Sequence, residues 1–336
     1  MLRKLRDLIL YLFFLSLTTL LLLEVCYRFY VVDFYKGSLI GLNSEEDLLP
    51  LQDRPTILVF GDSFTADTSS YIKHLRKAMP NHRIINSAVA GTNIRQHSLM
   101  AKGRIKRFKP EMLIYQIYVG NDLLEYRHPD SGENISVTRK FYWWLADRLM
   151  VVGYINAKLP QLKAVFVADP NPGSGAKLSA GFAVEKYNRR TQMQFQIEPD
   201  LLEHTVLLQE ERGEDFRAYT YELAALLDDA PAGCKIVIMV MPHCAQVGSP
   251  YLERMEELGA VFEDKPAFLE VDYPFFHDLN RTLSKDNRHF FNALEYLGDE
   301  DGEHSFYYEN DPHLNPAGQQ RVGEALVHFF EQRNWK

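Results

Sequence analysis

Five short runs, TILVF (56–60), RIIN (83–86), MLIYQIYV (112–119), KIVIMVM (235–241) and RHFFNAL (288–294), recur along the chain with amphipathic segments between them. Short β-branched runs that alternate with amphipathic segments read as strands with helices between them, the pattern of a parallel sheet. The expected fold is therefore α/β, a doubly wound, flavodoxin-like parallel sheet of about five strands. Helices are expected at 69–79, 94–107 and 203–229. A last one opens with Asn315 as N-cap and Pro316 in the first turn. The stretch from 119 to 235 is far longer than an ordinary crossover, so it must hold an insertion, placed at about 125–200. Its first part, KFYWWLADRLMVVGYI (140–155), is aromatic and helix-like, and ADPNPGSGAKLSAG (168–181) reads as a loop. The insertion reads as a cap over the carboxyl edge of the sheet, with a plain surface excursion as the alternative.

The N-terminus follows different rules. Residues 8–23 carry no charge and follow Arg3, Lys4 and Arg6. A spanning helix needs about 20 apolar residues, a length reached if Glu24 lies at the far interface. Residues 1–32 are read as an uncleaved signal anchor, 33–54 as a linker and 55–336 as the main domain. The competing readings are a cleaved signal peptide, which would want a small-residue cleavage site that is absent here, and a buried core helix. Basic residues stay on the cytoplasmic side, so residues 33 onward are expected to be extracytoplasmic. With Lys+Arg 37 against Asp+Glu 45 the net charge is −8, and no basic cluster interleaved with aromatics occurs in the main domain, so no nucleic-acid partner is expected. Cys234 and Cys244 bracket a strand-like run that would hold them roughly 30 Å apart, too far for a disulfide.

Ligands of parallel sheets gather outside the carboxyl ends of the strands, and the residues there carry chemistry. Gly61-Asp62-Ser63-Phe64-Thr65 follows the first run, SAVAGTN with Gly91 the second, and Gly120-Asn121-Asp122 the third. Asp311 and His313 stand just ahead of the last helix. A serine hydroxyl is a weak nucleophile until a base takes its proton, and histidine is the side chain suited to that near neutrality. Ser63 and His313 are the candidates. Asp311 is the carboxylate that would hold the imidazole tautomer and stabilise its charged form. The backbone N–H groups of Ser63 and Gly91 and the side-chain amide of Asn121 would receive the oxyanion of an acyl-transfer intermediate. Asp62 and Asp122 read as hydrogen-bonding residues at helix starts, and His243 and Cys244 as a satisfied loop histidine and an inert thiol. The acidic run GDEDGE (298–303) reads as a solvated loop. No HExxH or paired Cys/His spacing is present, so neither a metal nor another cofactor is expected.

Together these blocks resemble the SGNH, or GDSL-type, hydrolases: GDSFT at 61–65, the glycine of NSAVAG at 86–91, GND at 120–122 and DPHLNPAG at 311–318, in the family's order. The resemblance implies the SGNH hydrolase fold, Ser63 as nucleophile, Gly91 and Asn121 in the oxyanion hole, His313 as base and Asp311 as its partner. One departure stands out. The commonest family pattern sets the aspartate three residues before the histidine, whereas Asp311 is two before and Asn310 takes the third place. By location and family analogy the expected function is a membrane-anchored serine esterase that removes O-acyl, foremost O-acetyl, groups from an extracytoplasmic polysaccharide or similar ester. The alternatives are an O-acetyltransferase using the same Ser63 intermediate, which would need a membrane partner to bring its acyl donor, and a catalytically idle glycan-binding subunit.

Overall fold

All five runs form strands: β1 (Thr56–Phe60), β2 (Arg83–Asn86), β3 (Met112–Tyr118), β4 (Lys235–Met241) and β5 (Arg288–Asn292). They pair in the order β2-β1-β3-β4-β5, every pairing parallel. This is the doubly wound, flavodoxin-like sheet the sequence leads one to expect. Each residue of β1, β2 and β3 is buried, and in β4 only Lys235 is exposed. The apolar runs lack alternation because both faces of the sheet are covered. The computed structural model describes residues 2–49, 54–126, 136–156, 158, 181–298 and 305–335. Residues 50–53 of the linker lie outside these, as do 127–135, 157 and 159–180 of the insertion and the acidic run apart from Gly298.

In chain order, α1 (Leu2–Arg28), α2 (Lys36–Leu42), α3 (Tyr71–Ala78), α4 (Ile94–Phe108), α5 (Asp122–Tyr126) and α6 (Val137–Arg148) are the first helices. The chain steps outward from β1 to β2 and back across to β3, so right-handed crossovers set α3 and α4 on opposite faces. The C-terminal helix Pro316–Glu331 packs on α3, and the helix Arg212–Asp228 packs on α4. Asn315 caps the C-terminal helix, its side chain accepting from Gly318 N at 3.0 Å.

The single helix expected over 203–229 is two, Leu201–Leu207 and Arg212–Asp228. Leu208 and Glu210 both take left-handed backbone angles, φ 55° and 49°. Buried charge fixes the bend. The Arg212 guanidinium bonds the Glu198 carboxylate at 2.6 and 2.8 Å and Asp215 at 3.0 Å, while the Glu203 carboxylate accepts the N–H groups of Glu263 and Asp264. A straight helix would take Glu203 and Arg212 away from those partners, and an unpaired buried charge is costly.

The chain divides into two compact units, Met1–Phe34 with Ile135–Pro172, and Tyr35–Asn134 with Gly173–Lys336. The second holds the sheet. It includes α2, whose Leu39 is buried, followed by Asn43, whose side chain exchanges 2.8 Å hydrogen bonds with the backbone N–H and C=O of Asn86 at the end of β2. The first unit is built on α1. Among the described residues α1 is the one helix long and apolar enough to cross a membrane, and its apolar window is 6% buried, unlike a core helix. At its end the buried Glu24 carboxylate pairs with Arg28 and accepts the N–H groups of Met150 and Val151 at 3.2 and 2.9 Å. Those donors open the helical stretch 150–156, where an anion is favourable. Tyr27, Phe34 and Tyr154 pack their rings together beside it. The aromatic stretch expected as part of a cap thus belongs, over 137–156, to the unit of α1, while residues 181–207 pack in the sheet unit.

Candidate active site

Ser63 sits on the turn that leaves β1, closed by the 2.8 Å bond from Ala66 N to Asp62 O. Its neighbours hold that turn from several sides. Asp62 accepts Phe64 N, and Gln116, the one polar side chain inside β3, accepts Asp62 N and the Thr65 hydroxyl, both at 3.1 Å. Asn86, ending β2, donates to Thr65 O at 2.8 Å. From the C-terminal helix, Gln319 donates to Phe64 O and accepts Tyr71 N. Gly61 is required here: a Cβ on it would come within 2.6 Å of Gln116 Oε1 and 2.7 Å of Thr65 Oγ1. The side-chain bonds of Asp62 and Asp122 are structural ones to neighbouring N–H groups, Asp122 accepting Tyr118 N and the Tyr219 hydroxyl.

The structure brings Ser63, His313 and Asp311 into one line. Ser63 Oγ lies 2.7 Å from His313 Nε2, and His313 Nδ1 lies 2.5 Å from Asp311 Oδ1. With Nδ1 carrying its proton toward the carboxylate, Nε2 is free to accept from the serine. The same Asp311 oxygen accepts His313 N at 3.0 Å, so the DPH turn orients the ring through both side chain and backbone. Phe64 packs against the imidazole at 4.8 Å between centroids. Burial by itself would raise the Asp311 carboxyl, but the bonds from His313 and Asn188 outweigh it and hold the group below the ordinary carboxylate range. Asn310, which occupies the place where the commonest family pattern has its aspartate, faces elsewhere: its amide bonds Gly181 O and Ala183 N.

Asn188 is a site residue that sequence reasoning missed. Its Nδ2 donates to Asp311 Oδ2 at 3.1 Å, its backbone N–H donates to Asn310 O, and its Oδ1 caps the helix Arg189–Ile197. The inserted segment therefore supplies the second support of the carboxylate.

Ser63 and His313 open into a small pocket lined also by Asp67, Ser69, Tyr308, Leu314, Pro316 and Gln319, a mostly polar set. Gly91 and Asn121 are not among its lining residues. They stand at the carboxyl ends of β2 and β3, the same edge of the sheet from which Ser63 leaves β1. Val89 N donates to Gly61 O at 3.0 Å, tying the Gly91 loop to the Ser63 turn, and Gly91 has φ +70°, a left-handed angle that suits glycine. Behind these strand ends runs a buried chain of polar groups. The Thr92 hydroxyl donates to Val89 O and meets His97 Nε2 at 2.9 Å, and His97 Nδ1 meets the Tyr115 hydroxyl at 2.8 Å. Tyr115 hydrogen-bonds Tyr219, which reaches Asp122 beside Asn121.

Burial, helped by the charge of Arg104, pushes His97 down to about 3, and burial alone does the same to His243. His243 caps the helix Cys244–Val247 through its ring nitrogen, and burial pushes the Cys244 thiol up to about 12, so neither is poised for chemistry. Both histidines stay neutral in the fold and would charge near 6.5 once unfolded. The unfolded chain then binds more protons below 6.5, so stability falls as pH drops from 6.5 toward about 3. At about 1.4 kcal/mol per pH unit and group, the pair costs roughly 4 kcal/mol by about pH 5. The thermal midpoint in detergent, followed over this range, is expected to fall steeply, and His97→Gln to flatten the slope by about half. A midpoint independent of pH would refute the assignment.

No protein-family description and no curated protein matches the chain. Among solved structures it is similar to TesA, at 14% identity over 82% of this chain and 98% of that one, with a TM-score of 0.40. It is also similar to a catalytic mutant of Axe2, an acetylxylan esterase from Geobacillus stearothermophilus, at 12% identity over 86% and 98% with a TM-score of 0.42. The lipase Lip_vut3 from goat rumen metagenome gives 11% identity over 82% and 96% and a TM-score of 0.40.

Proposed function

We propose that the chain is a membrane-anchored, extracytoplasmic ester hydrolase of SGNH type working through an acyl-enzyme on Ser63. The observation that carries this reading is the unbroken line from Ser63 Oγ through His313 to Asp311, at 2.7 and 2.5 Å. As Oγ attacks an ester carbonyl, its proton passes to His313 Nε2, and the imidazolium is held by Asp311. The oxyanion is received by N–H groups of Ser63 and Gly91 and the Asn121 amide, acting at the carboxyl edge of the sheet. Collapse of the intermediate expels the alcohol, which takes the proton from Nε2. Water then repeats the sequence on the acyl-enzyme and releases the acid and the free serine. Every proton in this cycle is handled by the chain's own groups.

The substrate reading is an O-acetyl ester on an extracytoplasmic polysaccharide. A small pocket where Asp67, Ser69 and Tyr308 offer hydrogen bonds to hydroxylated groups, and only Leu314 and Pro316 are apolar, gives a long acyl chain little apolar surface. α1, with its basic N-terminal end inside, would tether the domain where such polymers lie.

Full-length protein purified in detergent tests this against p-nitrophenyl esters of increasing chain length and an O-acetylated polysaccharide. Turnover is expected to be fastest on acetate and to drop about tenfold or more by the octanoate, with acetate released from the polymer. A rate that rises with chain length would refute the acetyl reading and leave the esterase. Absence of turnover on every ester would favour the idle binding subunit.

A further inference from the structure

In helix α6, Val137, Phe141, Trp144 and Arg148 recur at the spacing that places residues on one helix face, and that face is bare. Val137 is 83% exposed, Phe141 60% and Trp144 49%. The Phe141 and Trp144 rings stack on each other at 5.8 Å and 18° between planes, with the Arg148 guanidinium 4.4 Å above Trp144. Lys140 is exposed beside them. Apolar rings in a row, edged by long cationic side chains, suit neither water nor a sealed protein core.

The place of this helix in its unit identifies what covers it. The uncharged run of α1 ends at Leu23, and the next turn holds the end of α6. Arg28 donates to Arg148 O at 2.5 Å, and Glu24 accepts the N–H groups of Met150 and Val151. If α1 spans the bilayer, these bonds lie at the level where it emerges. A helix rises about 1.5 Å per residue, so Trp144 lies within about 6 Å of that level and Phe141 within about 10 Å, whatever the direction of α6. That is the depth of the headgroup layer. Phe29, Val31 and Val32, which follow α1 directly, are exposed as well and extend the same apolar zone.

We propose that α6 is a membrane-interface helix, its Phe141 and Trp144 rings seated among the headgroups and upper acyl chains of the leaflet from which α1 emerges. Lys140 and Arg148 then face lipid phosphates, the arrangement of amphipathic helices that lie on a bilayer. The inference rests on the reading of α1 as a bilayer-spanning anchor. The helix gives the chain a second, sideways attachment, and a spanning helix alone would leave residues 137–148 indifferent to lipid.

The test uses the full-length chain in phosphatidylcholine vesicles containing a minor share of phosphatidylglycerol. Trp143→Phe/Trp335→Phe leaves Trp144 as the sole emitter, since the chain has three tryptophans. Lipid brominated just below the headgroup is expected to quench roughly half or more of its emission, lipid brominated near the chain ends clearly less, and aqueous iodide little. Should the double variant not fold, Trp144→Phe in the otherwise native chain is expected to abolish most bromolipid quenching, and Trp335→Phe to leave it. A carbonate wash separates the two readings. Protein retained in the vesicles with Trp144 open to iodide and untouched by bromolipid overturns the interface helix alone. Trp144 shielded from both quenchers overturns it too, because protein, such as a second copy, then covers the face. Protein released by carbonate overturns both the anchor and the helix that depends on it.

Discussion

Ser63→Ala is expected to lower ester turnover by about 10⁴-fold or more while leaving the circular dichroism spectrum and thermal midpoint unchanged. The expectation follows from the way the turn is held. Gln116, Asn86 and Gln319 bond the backbone and the Thr65 hydroxyl around Ser63, and the serine side chain itself contributes only its bond to His313. Removing the hydroxyl therefore removes the nucleophile and little else. His313→Ala is expected to be nearly as severe, and the double variant scarcely worse than either, because parts of one catalytic unit are strongly non-additive. Progress curves with p-nitrophenyl acetate decide it. Near-native rates in Ser63→Ala would remove the acyl-enzyme from the account.

Asp311→Asn is expected to reduce turnover by about 10³- to 10⁴-fold with the fold retained. An amide can still receive the His313 backbone N–H, which preserves the turn, but it cannot stabilise imidazolium or enforce the tautomer that bares Nε2. The Asn310→Ala variant separates this from the view that Asp311 only shapes the DPH turn and Asn310 orients His313. Asn310 serves Gly181 and Ala183, so its loss is expected to lower the thermal midpoint and to change kcat little. Asn188→Ala falls between the two, with a loss of about tenfold in kcat, one charge-assisted bond to Asp311 being removed. If Asp311→Asn costs less than about tenfold, the site is a Ser63–His313 dyad and the carboxylate is a turn residue.

The strands were legible because parallel sheets covered on both faces turn strand boundaries into composition boundaries, and the same holds for TILVF and KIVIMVM alike. The line of Ser63, His313 and Asp311 was legible because its members follow a strand end or precede a capped helix. Gln116 left a trace too: an amide side chain inside MLIYQIY has to bond something, and here it bonds the Ser63 turn. Asn188 left none. It is 123 residues from Asp311, and its own surroundings announce only a helix cap, a task it also performs. The bend at Leu208 was invisible for a related reason. HTVLLQEER is made of good helix formers, and the ion pairs that override them join Glu198, Glu203 and Arg212 to partners that no local pattern reveals.

Ser63 and His313 are separated by 250 positions along the chain. Ser63 lies on the turn after β1, whereas His313 and the Gln319 bonds to Phe64 and Tyr71 come from residues 313–319, downstream of all five strands. Until that helix docks on α3, the serine is an ordinary alcohol, with no base within reach. On the proposed reading, reactivity is thus acquired only after the whole sheet has been made. A chain that stops short of residue 311 still contains all five strands, yet the Ser63–His313 bond cannot form in it.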